Sequence, residues 1–206
     1  MAAVGIIDYG LCNLDSIARA VEHCGGDPTV TADPLNLSVF DRVIIPGVGA
    51  FASAMKNLHD SGLDQAIHDQ RAKRRLPVLG ICLGMHLLAE ESDEGGVTSG
   101  LGLLAGRVSR LVPSVKGERV PHIGWNEVSP ENPHPLFKDV DPRTDFYFVH
   151  SYHLNPTGST VCLARTPYCG GFTSAVAMDD DVVGVQFHPE KSMAAGFMVL
   201  KNFLAL

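Results

Sequence analysis

A cysteine flanked by glycines is the residue of this chain whose setting points most directly to chemistry. Cys82 lies between Gly80 and Gly84 in the stretch 76–88, which combines a short apolar run with the beginning of a helix. Such spacing is typical of a nucleophile elbow, a sharp turn that needs small neighbours. The N-terminus of the following helix would favour a thiolate there. The pattern alone is also compatible with a packed core cysteine, since free cysteine is among the most buried residue types.

A base and an orienting acid for such a thiol occur near the other end of the chain. His188 and Glu190 flank a proline just after the apolar segment 182–185. A thiol nucleophile needs a base that takes its proton and later protonates the leaving group. That base in turn needs an acid that orients it. A lone His-x-Glu is more often part of a polar surface, so the inference depends on its occurrence together with Cys82.

A glycine-bracketed loop supplies the third part of this chemistry. Residues 46–49 read Pro-Gly-Val-Gly and follow an apolar segment, as the cysteine and the histidine do. In an open α/β sheet, ligands collect at the carboxyl ends of the strands. A loop of this kind can turn backbone N–H groups towards a developing oxyanion, which acyl transfer needs. In isolation the motif is more often an ordinary turn between a strand and a helix.

The elements that position these residues follow from hydrophobic periodicity. Strands are predicted over 4–8, 42–45 and the run before Cys82, and helices after Asn13, through Met55 and Leu58, and over 63–74. This alternation indicates a doubly wound α/β sheet. Further strands are predicted over 103–112, 120–128, 145–150, 161–165, 173–178 and 182–186, before a final helix over 192–206. We therefore expect a mixed, mostly parallel central sheet with helices on both faces and an antiparallel section in the second half.

Length and composition limit the classes of function. A chain of 206 residues is expected to form one domain over 1–206. The net charge of −7 argues against nucleic acid and anionic membranes as partners. No signal peptide or membrane span is predicted, and five widely spaced cysteines predict a reducing cytoplasm without disulfides. The histidines lack the spacing of zinc ligands, so neither a metal nor another cofactor is expected.

Five motifs together resemble a known family. Gly-Ile-Cys-Leu-Gly-Met and Phe-His-Pro-Glu-Lys-Ser look like the class I, triad-type glutamine amidotransferases. Within that class, Pro-Gly-Val-Gly and the segments 121–126 and 147–153 are similar to the glutaminase subunits of imidazole glycerol phosphate synthase. The resemblance covers nearly the whole chain in order and also implies the fold of that class.

The resemblance implies a role for each matching residue. Cys82 attacks the side-chain amide of L-glutamine, His188 protonates the departing ammonia and Glu190 orients His188. The N–H groups of Val48 and Leu83 form the oxyanion hole, for which the Val48 loop can require reorientation. Further substrate-binding residues are implied at Gly49, His86, Glu94, Ser151 and Tyr152, and partner-facing residues at Asn13, Trp125, Tyr147 and Lys191.

The resemblance also implies a partner. In the family, the ammonia passes to a (β/α)8-barrel synthase subunit in a heterodimer, which makes imidazole glycerol phosphate and an aminoimidazole carboxamide ribotide in histidine biosynthesis. The glutaminase subunit is expected to be nearly inactive until that partner and its ligand activate it. A short deamidase without an acceptor-substrate domain agrees with this expectation.

Two departures from the family pattern leave alternatives open. His86 stands where the family usually has Gln, and Cys12 stands where it usually has Gly. A side chain at Cys12 would be strained if the backbone there required a positive φ. The alternatives are a paralogous glutaminase that feeds a barrel partner making amidino groups on surface-polysaccharide sugars, a non-catalytic scaffold that regulates the synthase, and a free-standing hydrolase of γ-glutamyl bonds.

Overall fold

Thirteen strands and five α-helices make up the computed structural model, which describes residues 1–206. The strands are β1 (Ala3–Ile7), β2 (Asp27–Thr31), β3 (Arg42–Ile45), β4 (Val78–Ile81), β5 (Ala89–Ser92), β6 (Thr98–Ser99), β7 (Leu104–Arg110), β8 (His122–Pro130), β9 (Thr144–His150), β10 (Tyr152–Pro156), β11 (Val161–Thr166), β12 (Phe172–Met178) and β13 (Val182–Val185). The helices are α1 (Leu14–His23), α2 (Phe51–Ser61), α3 (Leu63–Arg74), α4 (Leu83–Leu87) and α5 (Met193–Ala205), with 3-10 turns at Pro34–Val39, Pro135–Phe137 and Pro189–Lys191.

The main sheet has nine strands in the order β2-β1-β3-β4-β13-β12-β11-β8-β9. From β2 to β13 all neighbours are parallel, and from β13 to β9 all are antiparallel. The expected α/β class with a mixed sheet is therefore confirmed, and its parallel and antiparallel parts are of equal extent. Strand β13 lies where the two parts meet, directly beside β4, so the chain segments that follow these two strands are neighbours.

Both faces of the main sheet are buried. Along β3 the side chains alternate, because Ile44 belongs to one apolar core while Val43 and Ile45 belong to the other. The core that contains Ile44 also takes residues from α1 and α5, and the opposite core takes residues from α2, α3 and α4. Helices on both faces are what a doubly wound sheet requires.

A second sheet of four strands, in the order β10-β7-β5-β6, packs beside the second core. Leu104, Val108 and Leu154 supply its buried side chains. Strands β2, β5, β6 and β10 were not predicted from the sequence. These strands are short, and β2 lies at an exposed edge of the main sheet, so none carries the alternating apolar pattern that identifies a half-buried strand.

Helix α1 begins after Asn13, as expected, but the side chain of Asn13 makes no capping hydrogen bond. Asn13 is thus the N-cap residue by position only. Its backbone φ and ψ of −91° and 78° are outside the usual capping geometry. The amide of Asn13 is consequently free for other contacts.

The turn after β4 is packed too tightly for larger residues. A Cβ atom on Gly84 would lie 1.7 Å from the carbonyl oxygen of Ile45, and one on Gly80 would lie 2.6 Å from the carbonyl oxygen of Gly84. Both obstacles are backbone atoms, which cannot move without displacing β3 or α4. The glycines flanking Cys82 are therefore a steric requirement of the elbow.

We predict that Gly84→Ala lowers the free energy of unfolding by roughly 3 kcal/mol or more, since overpacking against backbone forces the strand and the helix apart. Urea denaturation followed by circular dichroism measures this loss. Gly25→Ala is the matched control, because Gly25 has a φ of 88° but no atom within 4 Å of an added Cβ. This control should lose only about 1–2 kcal/mol from backbone strain. Equal losses in the two variants would contradict the steric explanation.

Candidate active site

Cys82 occupies a strained backbone position between β4 and α4. Its φ of 54° and ψ of −110° are sparsely populated for a residue with a side chain. Residues held in such conformations cost on the order of 1–3 kcal/mol and cluster at functional sites. Cys82 is 5% exposed, and the geometry is that of the predicted nucleophile elbow.

His188 and Glu190 follow β13, the neighbour of β4, and form a buried pair. His188 Nδ1 lies 2.8 Å from Glu190 Oε1, and the two side chains are 4% and 2% exposed. His188 Nε2 is buried and makes no aligned hydrogen bond, so it is the nitrogen available to Cys82. Catalytic hydrogen bonds are often poorly aligned before substrate binds.

The electrostatics of His188 favour the imidazolium. Burial by itself lowers the pKa of His188, but interactions with Cys82 and Glu190 outweigh it and raise the pKa to about 10. A protonated His188 beside Cys82 is the arrangement of a thiolate–imidazolium pair. The site can therefore supply both a nucleophile and a proton for a leaving group.

The backbone of His188 is held by the antiparallel part of the sheet. His188 N donates to the carbonyl oxygen of Tyr147 at 2.9 Å. Ser192 Oγ donates to the carbonyl oxygen of His188 at 2.6 Å and accepts from Tyr147 N at 3.0 Å. These three bonds attach His188 to β9, and no sequence pattern indicated that Ser192 would take part.

A cavity of about 310 Å³ opens beside Cys82. Its volume suits a free amino acid. Its lining includes the residues for which the resemblance implied nucleophilic, oxyanion and substrate-binding roles: Val48, Gly49, Cys82, Leu83, His86, Glu94, Ser151 and Tyr152. His188 lines a separate, narrower cavity. Pro121, Val149 and His150 also line it and were not singled out from the sequence. The motifs that are far apart in the chain therefore meet at one cavity.

The loop of Val48 is tied to the segment before α1. Val48 N donates to the carbonyl oxygen of Leu11 at 2.9 Å, so this N–H is occupied. The carbonyl oxygen of Pro46 accepts from Tyr9 Oη at 2.6 Å and from Cys12 Sγ at 3.4 Å. Leu83, in contrast, is the first residue of α4, where an N–H has no acceptor within the helix. One of the two expected oxyanion donors is thus engaged elsewhere.

Cys12 is accommodated without the strain considered above. It is not among the residues with positive φ, so its Cβ carries no left-handed penalty. Burial raises the pKa of the Cys12 thiol, which keeps it a hydrogen-bond donor to Pro46. The departure from Gly at this position adds a contact to the Val48 loop.

Glu94 connects the cavity to α2. Its Oε2 accepts a hydrogen bond from Phe51 N at 2.9 Å, at the N-terminus of the helix. The remaining acceptor capacity of the carboxylate faces a cavity that it lines. A carboxylate in this place can bind the α-ammonium group of an amino acid.

His86 is buried and bonded to a residue that no sequence motif had assigned to the site. His86 Nε2 lies 2.7 Å from Gln186 Oε1, and Gln186 Nε2 donates to Cys82 Sγ at 3.8 Å. Burial lowers the pKa of His86 to about 4, so the ring is neutral near pH 7. Gln186 was predicted only as the end of a strand.

Two further histidines form a neutral chain beneath the cavity. His150 Nδ1 lies 2.8 Å from the carbonyl oxygen of Tyr152, and His150 Nε2 lies 3.0 Å from His122 Nδ1. His122 Nε2 in turn is 3.2 Å from Asn126 Nδ2. Burial lowers the pKa of both histidines, that of His122 to about 4. This chain fixes the backbone at Tyr152.

The expected partner-facing residues lie on one surface beside the triad. Trp125 is 47% exposed and contacts Tyr147 edge-on, with ring centroids 6.0 Å apart. Lys191 Nζ lies 5.7 Å from the centroid of the Tyr147 ring. We call Ile123, Trp125, Tyr147 and Lys191 the Trp125 face. Asn13 and Lys191 line a narrow cavity of about 20 Å³ that reaches His188.

The side chains that could bind a metal ion are dispersed over the molecule. No group of three or more His, Cys, Asp or Glu side chains is arranged to hold such an ion. Among the helices, none combines the length and apolar character needed to cross a bilayer.

Comparison with known proteins identifies the class that the fold and site define. Residues 5–205 match the family described as glutamine amidotransferase class-I. The chain belongs to the class-I glutamine amidotransferase family. This match covers every residue of the site described above.

Relatives from several bacteria carry the same name. The protein called imidazole glycerol phosphate synthase subunit HisH is 48% identical in Moorella thermoacetica, over 98% of this chain and 94% of the relative. The proteins of that name from Methylococcus capsulatus and Acinetobacter baylyi are 45% and 40% identical, over 99% of this chain and 96% and 98% of theirs. The resemblance to this family of subunits is confirmed.

Solved structures confirm the fold. A chain of the PurLQS structure from Thermotoga maritima aligns with a TM-score of 0.77 over 100% of this chain and 99% of its own, at 19% identity. A glutamine amidotransferase from the same organism aligns with a TM-score of 0.63 over 92% of this chain and 76% of its own, at 20% identity. At such identities the likeness concerns architecture alone.

We predict that Glu190→Gln lowers the rate of glutamine hydrolysis by roughly 100-fold or more, because an amide no longer stabilises the His188 imidazolium. Cys82→Ala should abolish turnover. Glutamate release measured in the presence of the synthase partner checks both. Glu22→Gln is the control, since Glu22 is an exposed residue of α1 and its loss should leave the rate unchanged. Wild-type activity in Cys82→Ala would exclude Cys82 as the nucleophile.

We also predict that the protein loses stability as pH falls from 6.5 towards 4. A folded-state pKa of about 4 for His86 means that the unfolded chain binds this proton first. The contribution is fully present above pH 6.5, and roughly 2–3 kcal/mol of it is lost by pH 4.5. Urea denaturation at several pH values should show a shallower acid slope for His86→Gln than for the wild type. Identical slopes would contradict the assignment of a buried, neutral His86.

Proposed function

We propose that this chain is the glutaminase subunit of an imidazole glycerol phosphate synthase and hydrolyses L-glutamine to glutamate and ammonia. The observation that carries the proposal is the buried His188–Glu190 pair, which interacts with a strained Cys82 that lines an amino-acid-sized cavity. The HisH name of the full-length relatives supports histidine biosynthesis as the pathway. We propose that residues 1–206 act as one amidotransferase domain and that the cytoplasm is its location.

The chemistry proceeds in two steps at Cys82. The thiolate attacks the side-chain carbonyl carbon of glutamine, and the carbonyl oxygen becomes an oxyanion. As the C–N bond breaks, the His188 imidazolium gives its proton to the nitrogen, which leaves as ammonia. A water molecule, deprotonated by His188, then attacks the glutamyl thioester and releases glutamate with the thiol. Glu190 holds Nδ1 and stabilises the imidazolium in both steps.

The oxyanion is bound by backbone N–H groups. Leu83 N at the beginning of α4 is one donor, and the positive end of the helix adds to its effect. Val48 N becomes the second only when its bond to the carbonyl oxygen of Leu11 is broken. Removing one oxyanion donor typically costs roughly 100- to 1,000-fold in kcat. The isolated chain is therefore expected to be a slow glutaminase.

The amino-acid end of glutamine is held on the far side of the cavity. We assign the α-ammonium group to Glu94, whose carboxylate lines the cavity. Ser151 and Tyr152 hold the α-carboxylate, and the histidine chain fixes the backbone at Tyr152. Gly49 and His86 complete the walls beside the reacting amide.

The partner is a (β/α)8-barrel synthase subunit that binds as a heterodimer. The Trp125 face suits a protein partner, because exposed aromatic side chains beside the catalytic pair are typical of interface anchors. The narrow cavity lined by Asn13, His188 and Lys191 adjoins this face. We propose that ammonia leaves along it to the barrel, where it enters imidazole glycerol phosphate formation.

The other candidate functions have less support. An intact His188–Glu190 pair next to a strained Cys82 argues against a non-catalytic scaffold. An occupied Val48 N–H argues against a hydrolase that is fully active alone. The relatives named for imidazole glycerol phosphate synthase argue against ammonia supply to a sugar-modifying partner.

The experiment is glutamate release by the chain alone, with the co-expressed barrel partner, and with that partner plus its nucleotide substrate. We predict an increase of at least about 100-fold on full activation, in line with the gain of one oxyanion donor. Formation of imidazole glycerol phosphate from glutamine checks the acceptor.

Trp125→Ala should weaken assembly with the partner. Val97→Ala should not, because Val97 is an exposed apolar residue between β5 and β6, away from the Trp125 face. Full activity without the partner would contradict the proposal.

A further inference from the structure

A buried amide contacts the sulfur of Cys82 through its N–H group. Gln186 directly follows β13 and is fully buried. Its Nε2 donates to Cys82 Sγ at 3.8 Å, within range for a sulfur acceptor, while its backbone N donates to Ser174 O at 2.9 Å. The contact comes from a side chain that the mechanism above does not use.

The contacts of Cys82 Sγ favour different protonation states. The carbonyl oxygen of Val149 lies 3.8 Å from Sγ and can only accept, so it favours the thiol. The N–H group of Gln186 can only donate, so it favours the thiolate. In a buried site, a hydrogen bond to a charged group is stronger than one between neutral groups. Gln186 therefore offsets the cost of burying a charged sulfur.

The orientation of this amide depends on His86. Gln186 Oε1 lies 2.7 Å from His86 Nε2, so the oxygen faces the ring and the NH2 group faces the sulfur. A proton on His86 Nε2 holds the amide this way. A bare Nε2 would attract the NH2 group and turn the oxygen towards Cys82, where it would repel a thiolate. The tautomer of His86 thus determines whether Gln186 presents its NH2 group or its oxygen to Cys82 Sγ.

We propose that Gln186 is a further catalytic residue of the glutaminase site, donating a hydrogen bond to the Cys82 thiolate, and that His86 is the positioning residue that sets its orientation. The inference rests on the proposed function, since it concerns the same reaction. The proposal also explains why an imidazole can replace the glutamine that the family usually has at position 86. The position requires a hydrogen-bond donor towards Gln186 Oε1, and His86 Nε2 can be that donor. Because His86 is neutral, only one of its two ring nitrogens carries a proton. The tautomer therefore determines which way the Gln186 amide is oriented.

The test measures the thiolate directly. In the holoenzyme, Gln186→Met removes the amide while keeping a side chain of similar length. The pH midpoint for alkylation of Cys82 by iodoacetamide should rise by about one unit, the usual scale for losing one charged hydrogen bond. At a pH below the alkylation midpoint, kcat for glutamine hydrolysis should fall about tenfold, because a shift of one unit lowers the thiolate fraction tenfold there, while KM changes little. Ser174→Ala is the control. Ser174 lies on the adjoining strand β12, and its buried hydroxyl makes no hydrogen bond, so the substitution should change neither the alkylation midpoint nor kcat.

The role of His86 is tested by coupling between variants. His86→Leu should raise the alkylation midpoint, whereas His86→Gln, which retains a donor, should restore most of it. In the Gln186→Met background, His86→Leu should add no further shift, because its effect passes through the amide. Additive shifts would contradict the positioning role.

Two outcomes separate this inference from the proposed function. An alkylation midpoint identical to that of the wild type in folded Gln186→Met overturns the inference and leaves the glutaminase assignment intact. If Gln186→Met does not fold, the midpoint of His86→Leu decides instead, and a wild-type value overturns the inference. Absence of glutamate release by the wild-type holoenzyme would contradict the proposed function and not the hydrogen bond.

Discussion

The strained backbone of Cys82 is the constraint on which the rest of the structure depends. A φ of 54° at a cysteine persists only because β4 and α4 are fixed on either side. The glycines around it permit backbone contact with the carbonyl oxygen of Ile45. Strand β3 must therefore run directly beside β4, and the loop after β3 is brought to the sulfur. The Val48 loop and Cys82 are neighbours for this steric reason.

The change from parallel to antiparallel pairing at β13 determines where the site residues from the second half of the chain lie. As a parallel neighbour of β4, β13 delivers His188 and Gln186 to the same edge as Cys82. Antiparallel β8 and β9 then bring their exposed aromatic side chains and buried histidines to that edge. Tyr147 belongs to both sets, because its backbone bonds His188 while its ring meets Lys191. His188 and the Trp125 face are therefore both attached to β9.

Sequence patterns predicted the site residues whose side-chain type is itself informative. Cys82, the His188–Glu190 pair and the strand ends were predictable because residue type, glycine spacing and apolar periodicity report them directly. Strands β2, β5, β6 and β10 were not, since short or edge strands leave little periodic signal. Gln186 and His150 were not singled out because a buried polar residue at a strand end looks like any other. The occupied N–H of Val48 is a backbone property, which no residue type reveals.

The bond between Val48 N and the carbonyl oxygen of Leu11 has a consequence for nitrogen economy. A single neutral hydrogen bond contributes only about 1 kcal/mol, so an activation of about 100-fold requires the other contacts of the loop to keep the fraction of molecules with a free donor near or below about 1%. That fraction sets a leak, the rate at which unassembled chains consume glutamine without using the ammonia. Cys12 and Tyr9, by bonding Pro46 at the base of the same loop, reduce the leak. A cell can therefore make more glutaminase than partner without wasting glutamine, as long as these few contacts keep the loop closed.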